Sequence, residues 1–516
     1  MKTKQTHTLW GAAFGKAPSD TVLSFTAGRD VAGVSPADIE LLPYDVWCNQ
    51  AHVVMLVHTG IIPKIDGASI LMALGQLEVL VDSHVFMLSP LQEDVHTNIE
   101  SWLTQKLGIE VAGKLHTARS RNDQVLTDMK MYLRDNVIVY IEYMLGLTFT
   151  LLELADTYKS VPISGYTHHQ HAMVTTFGHM LAGFASMIVR DIERLKHWYV
   201  LHNLSPLGNV VSYGTSMPID RKMTSTLLGF DGADHNSLDS VTNRWEPEAD
   251  LAFGIVTLMN HLSIVAETLI MFSTTEFGMI TLADSYSTGS SMMPQKKNPD
   301  TLEVIKAKAA YAQGQLNSLL SLGKGLFVGY NRDSQWSKYI IMDLVRECMH
   351  AAVVLGGVVS SMTVHKDRME AWCNKGFIGA PTLMEQMIST YHLPMRVAKV
   401  IVEKAVMYSA GLDHVTYKAV LQALADEGIQ VPITEIEVLR FQNPHMIISL
   451  TKSYGSAGKH SMKQSLKSMH KKLVSHKAWL IAKKKKKDVA KKLLKEMVEG
   501  IVDPPSPRLQ VAKGGE

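Results

Sequence analysis

An all-α fold organised around a central bundle of long helices is what this sequence predicts, and three observations predict it. Five segments, 124–159, 168–203, 246–275, 300–322 and 334–362, keep apolar residues at helical spacing with few internal glycines or prolines. Several are apolar around much of their circumference, so each needs burial on more than one side, against its neighbours and against further copies of the chain. The hydrophobic fraction of 46% over 516 residues supplies a large core, enough for two or three domains.

Taken in order, residues 1–115 read as a smaller helical domain in which Leu42-Pro43-Tyr44-Asp45 opens a helix running through His58. Proline is accommodated in a first helical turn, where its missing N–H is not needed. Residues 116–365 form the bundle, interrupted at 205–230, which is rich in Gly, Ser and Pro and reads as an irregular connection with a turn at Ser216-Met217-Pro218. Residues 366–460 read as a second small helical domain, and 461–516 as a basic helical tail that loses its order from Pro504-Pro505 onward. There is no internal repeat.

Charge divides the chain unevenly. Residues 459–516 carry 16 Lys and Arg against 5 Asp and Glu, a formal +11, which leaves 35 against 44, or −9, for the rest. The run Lys483 to Lys487 suits RNA, anionic lipid or an acidic face of the body, but the tail lacks groove-reading or stacking residues in number. A solvated helical extension is the expectation. Overall net charge is only +2, so the whole molecule makes no case for nucleic acid.

Cys48, Cys348 and Cys373 are odd in number and far apart, which argues for buried thiols in a reducing compartment over a disulfide framework. No apolar stretch follows Met1-Lys2-Thr3-Lys4, so no secretory signal is visible and a cytoplasmic location is expected. The longest apolar runs are broken by Glu142 and Glu153, and by Asn260, His261 and Glu267. They read as core helices, with no membrane partner.

The segment Gly289-Ser290-Ser291-Met292-Met293-Pro294-Gln295-Lys296-Lys297-Asn298-Pro299 puts hydroxyls, ammonium groups and an amide in one loop directly before a helix start. Such a loop can close over a dicarboxylate, with helix-end N–H groups favouring the anion. On composition alone it is an ordinary exposed turn. The order of its residues, however, resembles the GSSxMPxKxNP element of the fumarase, aspartase and argininosuccinate lyase superfamily. His116-Thr117-Ala118-Arg119-Ser120-Arg121-Asn122-Asp123-Gln124 is similar to the HTGRSRNDQ element that marks the argininosuccinate lyase family, and Gly165-Tyr166-Thr167-His168-His169-Gln170 to its GYTHLQ. With Tyr330 to Lys338 also similar, the resemblance spans roughly residues 90–340.

That resemblance implies a fumarase/aspartase-like three-domain subunit with a central long-helix bundle, assembled as a homotetramer whose active sites are shared between chains. It assigns Ser290 as the general base, His168 as proton donor to the leaving nitrogen, Glu303 as the carboxylate that orients that histidine across subunits, and Lys296 as a catalytic cation. It implies that Ser120, Arg121, Asn122, Thr167 and Asn298 bind the fumarate half, and that Tyr330, Gln335, Lys338 and Asp94 contact the amine end and carboxylates. Two carboxylates call for a guanidinium fork and neutral donors. Eliminating an amine from a succinyl carbon needs a base, an acid and donors for a doubly charged aci-carboxylate, with no redox cofactor. Glu303 also reads as a first-turn carboxylate favoured by the helix dipole, and Arg119 as a structural ion-pair residue. His169 and His171 lack a nearby Cys or carboxylate to complete a ligand set, so no metal is expected.

Departures from the family pattern lie at His171, Met173-Val174, Arg332 and Trp336, and near the N-terminus in Trp10-Gly11-Ala12-Ala13-Phe14 and Phe25-Thr26-Ala27-Gly28-Arg29. The expectation is therefore an enzyme of argininosuccinate lyase type, a carbon–nitrogen (amidine) lyase acting in arginine biosynthesis. A related lyase releasing fumarate from another N-succinyl amine or an aminodicarboxylate is the second reading. A non-enzymatic structural protein and a binding role for the basic tail are further ones.

Overall fold

The computed structural model describes residues 37–89, 92 and 94–502, together with 19 and 21. The altered segments at 10–14 and 25–29, Glu93, and the tail beyond Val502 lie outside the described residues. The expected all-α architecture is present. Its helices are α1 (Leu42–His58), α2 (Lys64–Asp82), α3 (Val95–Leu107), α4 (Arg121–Thr157), α5 (Phe177–His202), α6 (Glu246–Ser273), α7 (Asp300–Leu322), α8 (Ser337–Cys348), α9 (Ala351–Ser361) and α10 (Lys459–Val502), with shorter helices between them. Five further helices between Ala380 and Leu450 gather around a separate hydrophobic core that includes Leu383, Ile401, Val420 and Phe441.

Helix α1 has the bounds predicted, and Pro43 sits in its first turn. Helix α4 starts three residues earlier than periodicity suggests, because Ser120 and Asp123 form a capping box that satisfies its first donors. The segment 168–203 is not one helix. Residues Pro162–Thr167 and Gln170–Thr176 pair as an antiparallel ribbon in which Thr167 faces Gln170, so His168 and His169 alone make the turn. Both have left-handed φ, +53° and +60°, the conformation a two-residue hairpin requires and a helix forbids. Helix α5 begins only at Phe177, where the Thr176 hydroxyl accepts from His179 N at 3.0 Å. Gly178 is needed at this corner, since a Cβ there would lie 2.3 Å from Ala155 O. The segment 334–362 likewise divides, into α8 and α9, at a turn of Met349 and His350.

The long helices run up and down. Trp198 Nε1, near the end of α5, donates to Pro247 O at the start of α6 at 2.7 Å, and at the opposite end the Tyr166 and Phe272 rings lie 6.5 Å apart. Lys306 pairs with Glu267, placing the start of α7 beside the end of α6. Tyr140 of α4 donates to Val345 O of α8 at 3.0 Å and so ties the later helices alongside α4. Helices α4 and α6 are long and apolar enough to cross a membrane, but half or more of the most apolar window of each is buried inside the bundle, as expected for core helices. All three cysteines are buried and unpaired.

The tail differs from a solvated extension. Helix α10 lies along the body, burying Leu466, Met469, Leu480, Ala490 and Leu494 in the same core as the bundle. Its lysines meet the acidic face of the body: Lys484 pairs with Glu142 at 2.7 Å, Lys487 with Asp135 at 3.0 Å, and Lys486 with Asp231. Half-exposed pairs of this kind contribute at most about 1 kcal/mol each, whereas burying one leucine side chain contributes roughly 1.5–3 kcal/mol. Apolar burial therefore holds α10, and charge sets its register. Leu480→Ala should cost about 2–5 kcal/mol of stability, and deletion of residues 467–516 should lower the melting temperature of the body, both read by denaturation followed by circular dichroism.

Candidate active site

Two constellations form at the two ends of the bundle. At the first, Ser120 caps α4, its hydroxyl accepting from Asn122 N at 3.3 Å, so Arg121 and Asn122 occupy the first helical turn. Asp94 caps α3, accepting from Thr97 N at 2.7 Å and Thr97 Oγ1 at 2.8 Å, and its other oxygen lies 3.6 Å from Arg121 Nη1. Burial tends to raise the Asp94 carboxyl, but the charge of His96, the Thr97 donors and Arg121 outweigh it and hold it below the usual carboxylate range. Lys338 is buried at the start of α8 and pairs with Asp38, whose second oxygen accepts from Val95 N at 3.1 Å. Through Asp38, Lys338 is thus one residue removed from Asp94. Tyr330 donates to Gln335 Oε1 at 3.5 Å, and the Arg244 guanidinium stands 5.7 Å from the Tyr330 ring.

At the second end stand the hairpin turn with Thr167 and His168, both exposed, and the loop before α7. The loop is a small hairpin of its own, Thr288–Gly289 pairing with Lys297–Asn298. Asn298 closes it by donating to Gly289 O at 3.2 Å, and Thr288 donates to Asp300. Ser290 Oγ accepts from Met292 N at 3.3 Å and Met293 N at 3.0 Å, donors that favour negative charge on that oxygen. Lys296 is exposed in the same turn, whereas Lys297 pairs with Asp284. Glu303 lies exposed in the first turn of α7, and Met292 at the loop tip is 88% exposed.

Distance separates these groups. Helix α4 has 37 residues, which at 1.5 Å per residue is about 55 Å, and it lies between Ser120 and the ribbon that carries His168. One chain therefore brings Asp94, Ser120, Arg121, Asn122, Tyr330, Gln335 and Lys338 to one end, and Thr167, His168, Ser290, Lys296, Asn298 and Glu303 to the other. Two concavities of the single chain, one along Val364–Arg368 and one of about 220 Å³ beside Cys373 and Asp413, include none of them.

Sequence reasoning passed over Asp123 and the connection after α5. Asp123 accepts from Ser120 N at 2.9 Å and from Gly208 N and Val210 N, each at 2.8 Å, so it ties the irregular 205–215 strand of chain to the first constellation. Its place as third residue of a capping box was the available signal. Arg119 is buried and donates to Asn49 Oδ1 at 2.6 Å, a neutral partner where an ion pair was expected. The buried trio Asp45, His96 and Asp128 has metal-ligating side chains within 4.8 Å of one another. His96 Nδ1, however, hydrogen-bonds Asp45 at 3.1 Å, and the charge of Arg119 already acts on both carboxyl groups.

The sequence family described as lyase matches residues 39–314. The chain is 37% identical to the argininosuccinate lyase of Streptococcus suis strain 05ZYH33 over 462 residues, 89% of this chain and 97% of that protein. It is 34% identical to the argininosuccinate lyase of a Nitratiruptor species over 459 residues, with the same coverage of both chains. A crystal structure of EDDS lyase with formate superposes with a TM-score of 0.83 at 27% identity, covering 94% of this chain and 96% of the other. The class II fumarase of Schistosoma mansoni shares the fold, with a TM-score of 0.66 at 13% identity over 83% and 95% of the two chains.

Beside the first constellation, burial lifts the Glu248 carboxyl to about 7 against the charge of Arg244. A carboxyl raised in the folded state takes up its proton on folding. Stability is then greatest below the ordinary value of 4.5, falls as pH rises from there to about 7, and levels off above. Glu248→Gln should remove that fall and gain up to about 3 kcal/mol above pH 7, measured as melting temperature against pH.

Proposed function

The chain belongs to the lyase family that includes the argininosuccinate lyases, within the fumarase and aspartase superfamily, and from that premise we propose that it eliminates fumarate from argininosuccinate to give arginine. The observation that carries this reading is the capped start of α4, where Ser120, Arg121 and Asn122 follow His116-Thr117-Ala118-Arg119 in the order that marks those lyases. Near-full-length similarity to proteins of that name supports it.

In this reading Ser290 removes a proton from the succinyl carbon adjacent to the one that carries the departing amine. The electrons of that C–H bond pass into a carboxylate, giving an aci-carboxylate held by Arg121, Asn122, Lys296 and Asn298. Those electrons then form the C=C bond of fumarate as the C–N bond breaks, and His168, oriented by Glu303, supplies the proton that the guanidino nitrogen takes with it. Lys338, Gln335, Tyr330 and Asp94 hold the amine end. The separation of about 55 Å along α4 supports a site built from several antiparallel copies, a homotetramer in the present proposal.

A second reading has its own support. The structural likeness to EDDS lyase favours a related enzyme that keeps the succinyl half and releases another amine. Rates on argininosuccinate and a panel of N-succinyl amines at subsaturating concentration decide between them. A pocket built for the guanidino end should favour argininosuccinate by about 10³ or more, because analogues leave buried polar groups unpaired; faster turnover of a succinylated diamine would transfer the function to the second reading.

Ser290→Ala should lower kcat by roughly 10²–10⁴ without unfolding the protein; near-normal fumarate release from that variant would remove the base assignment. Inactive His168→Ala and Arg121→Ala chains, once mixed and shown to exchange subunits, should recover part of the activity. Continued inactivity would count against shared sites.

A further inference from the structure

One face of α1 is polar within a largely apolar helix. Asp45, Asn49 and His52 are spaced i, i+4, i+7 and are all buried, while Val46, Cys48, Val53 and Leu56 around them enter the core. Each of the three makes a hydrogen bond that leads to the first constellation. His52 Nε2 lies 2.8 Å from Thr117 O, and only a protonated Nε2 can donate to that carbonyl. Burial, and then the charge of Arg119, push the His52 imidazole down to about 3, so the ring is neutral and its one N–H is committed to Thr117. Asn49 accepts from Arg119 Nη1 at 2.6 Å and donates to Asp45 at 3.2 Å. Asp45 accepts in addition from Gln124 Nε2 at 2.6 Å and His96 Nδ1 at 3.1 Å.

The held groups bracket the carboxylate-binding residues. Thr117 and Arg119 precede Ser120–Asn122, Gln124 follows them one turn into α4, and His96 is two residues beyond Asp94 in the helix that Asp94 caps. Between Thr117 and Arg119, Ala118 adopts a left-handed φ of +57°, a conformation that a residue with a Cβ adopts at a cost of order 1–3 kcal/mol and keeps only where its surroundings impose it. The hydrogen bonds from His52 to Thr117 and from Arg119 to Asn49 lie on either side of that residue and impose it.

We propose that the Asp45–Asn49–His52 face of α1 is the positioning element of the substrate-carboxylate site, fixing the Thr117–Asn122 turn and the Asp94 cap in the geometry that receives the dicarboxylate. These three are positioning residues and touch no substrate. Their effect falls on ground-state binding of the carboxylates more than on the chemical step, because the groups they hold include neither the base nor the acid. The inference rests on the assignment of Arg121 and Asn122 to carboxylate binding.

The test uses the full-length protein with argininosuccinate, reading kcat and KM separately from fumarate release, with fumarate binding by calorimetry and melting temperature alongside. His52→Phe keeps a planar ring, though a larger one, and removes the donor to Thr117; Asn49→Ala releases Arg119; His52→Gln restores a donor of similar reach. Both disruptive variants should raise KM and weaken fumarate binding about tenfold or more with kcat within about threefold, the pattern of lost uniform binding, and His52→Gln should return KM to within about threefold of the parent. Unchanged KM in folded His52→Phe and Asn49→Ala overturns the proposal, as does a rise in KM that His52→Gln leaves in place. Should His52→Phe fail to fold, Asn49→Ala decides alone. An Arg121→Ala control that binds fumarate as tightly as the parent overturns the carboxylate assignment itself, and the proposal with it, an outcome distinct from Arg121→Ala failing to bind fumarate while the α1 variants bind it normally.

Discussion

A rigid helix of 37 residues cannot be bent to bring its two ends together, and the arrangement of this molecule follows from that constraint. Helix α4 carries Ser120 and Arg121 at one end and leads into the His168 turn at the other, about 55 Å away. Its capping box and its unbroken ladder of buried residues, from Leu126 through Met144 to Ala155, leave no hinge along the way. Helices α1, α5, α9 and α10 pack against it, and α6 lies against α5 and α7, so the loops that carry the site residues fall at one end or the other. The proposed elimination, which draws on both ends, would take its missing groups from outside the chain, whereas the polar groups around Arg119 are held by residues of the same chain.

That internal scaffolding is costly, and it is concentrated at the end that carries Arg121. Asp45, Asn49, His52, His96, Arg119, Gln124 and Asp128 are all buried, and polar groups so placed lose hydration that only well-formed hydrogen bonds offset. Burial, reinforced by the neighbouring Asp45, raises the Asp128 carboxyl well above its usual range and favours its neutral form, while His96, Arg119 and Gln124 hold Asp45 below that range. One negative carboxylate between two cations is tolerated in a low-dielectric core; two carboxylates would not be. Such a network fixes geometry more than it adds stability, which is what a turn with a left-handed alanine requires.

Much of this was legible in the sequence, and the gaps have physical causes. Long apolar periodicity marked α4, α6 and α7, and the bounds of α1 and α7 were read to the residue. The ribbon at 162–176 was missed because its turn residues are two histidines, which give no glycine or asparagine signal for left-handed φ. The tail was read by its charge, although Leu466, Met469, Leu480 and Leu494 were spaced to form a buried stripe. Site residues were reached through motif order, and the structure places them in two groups that no spacing argument distinguishes. The polar face of α1 had a visible signal, three polar residues at i, i+4, i+7 inside an apolar helix, but what they hold lies 51 to 79 positions away, beyond the reach of local pattern.

What surrounds the bundle follows from the same constraint. The outward stripe of α6 presents Phe253, Ile264 and Met271 with Asn260 among them, and that of α7 presents Ala307, Ala310 and Gly314. Large apolar side chains on one helix and small ones on its neighbour make a ridge beside a groove, the relief into which another pair of such helices can pack. A copy related by a two-fold axis across these helices would run antiparallel to the first. Its Ser290 and His168 end would then stand at the Arg121 end of its partner, the positions that the proposed elimination requires. In the proposed assembly, length of helix, relief of its exposed face and division of the site are met together: the distance no single chain can close would be closed by reversing the direction of the next.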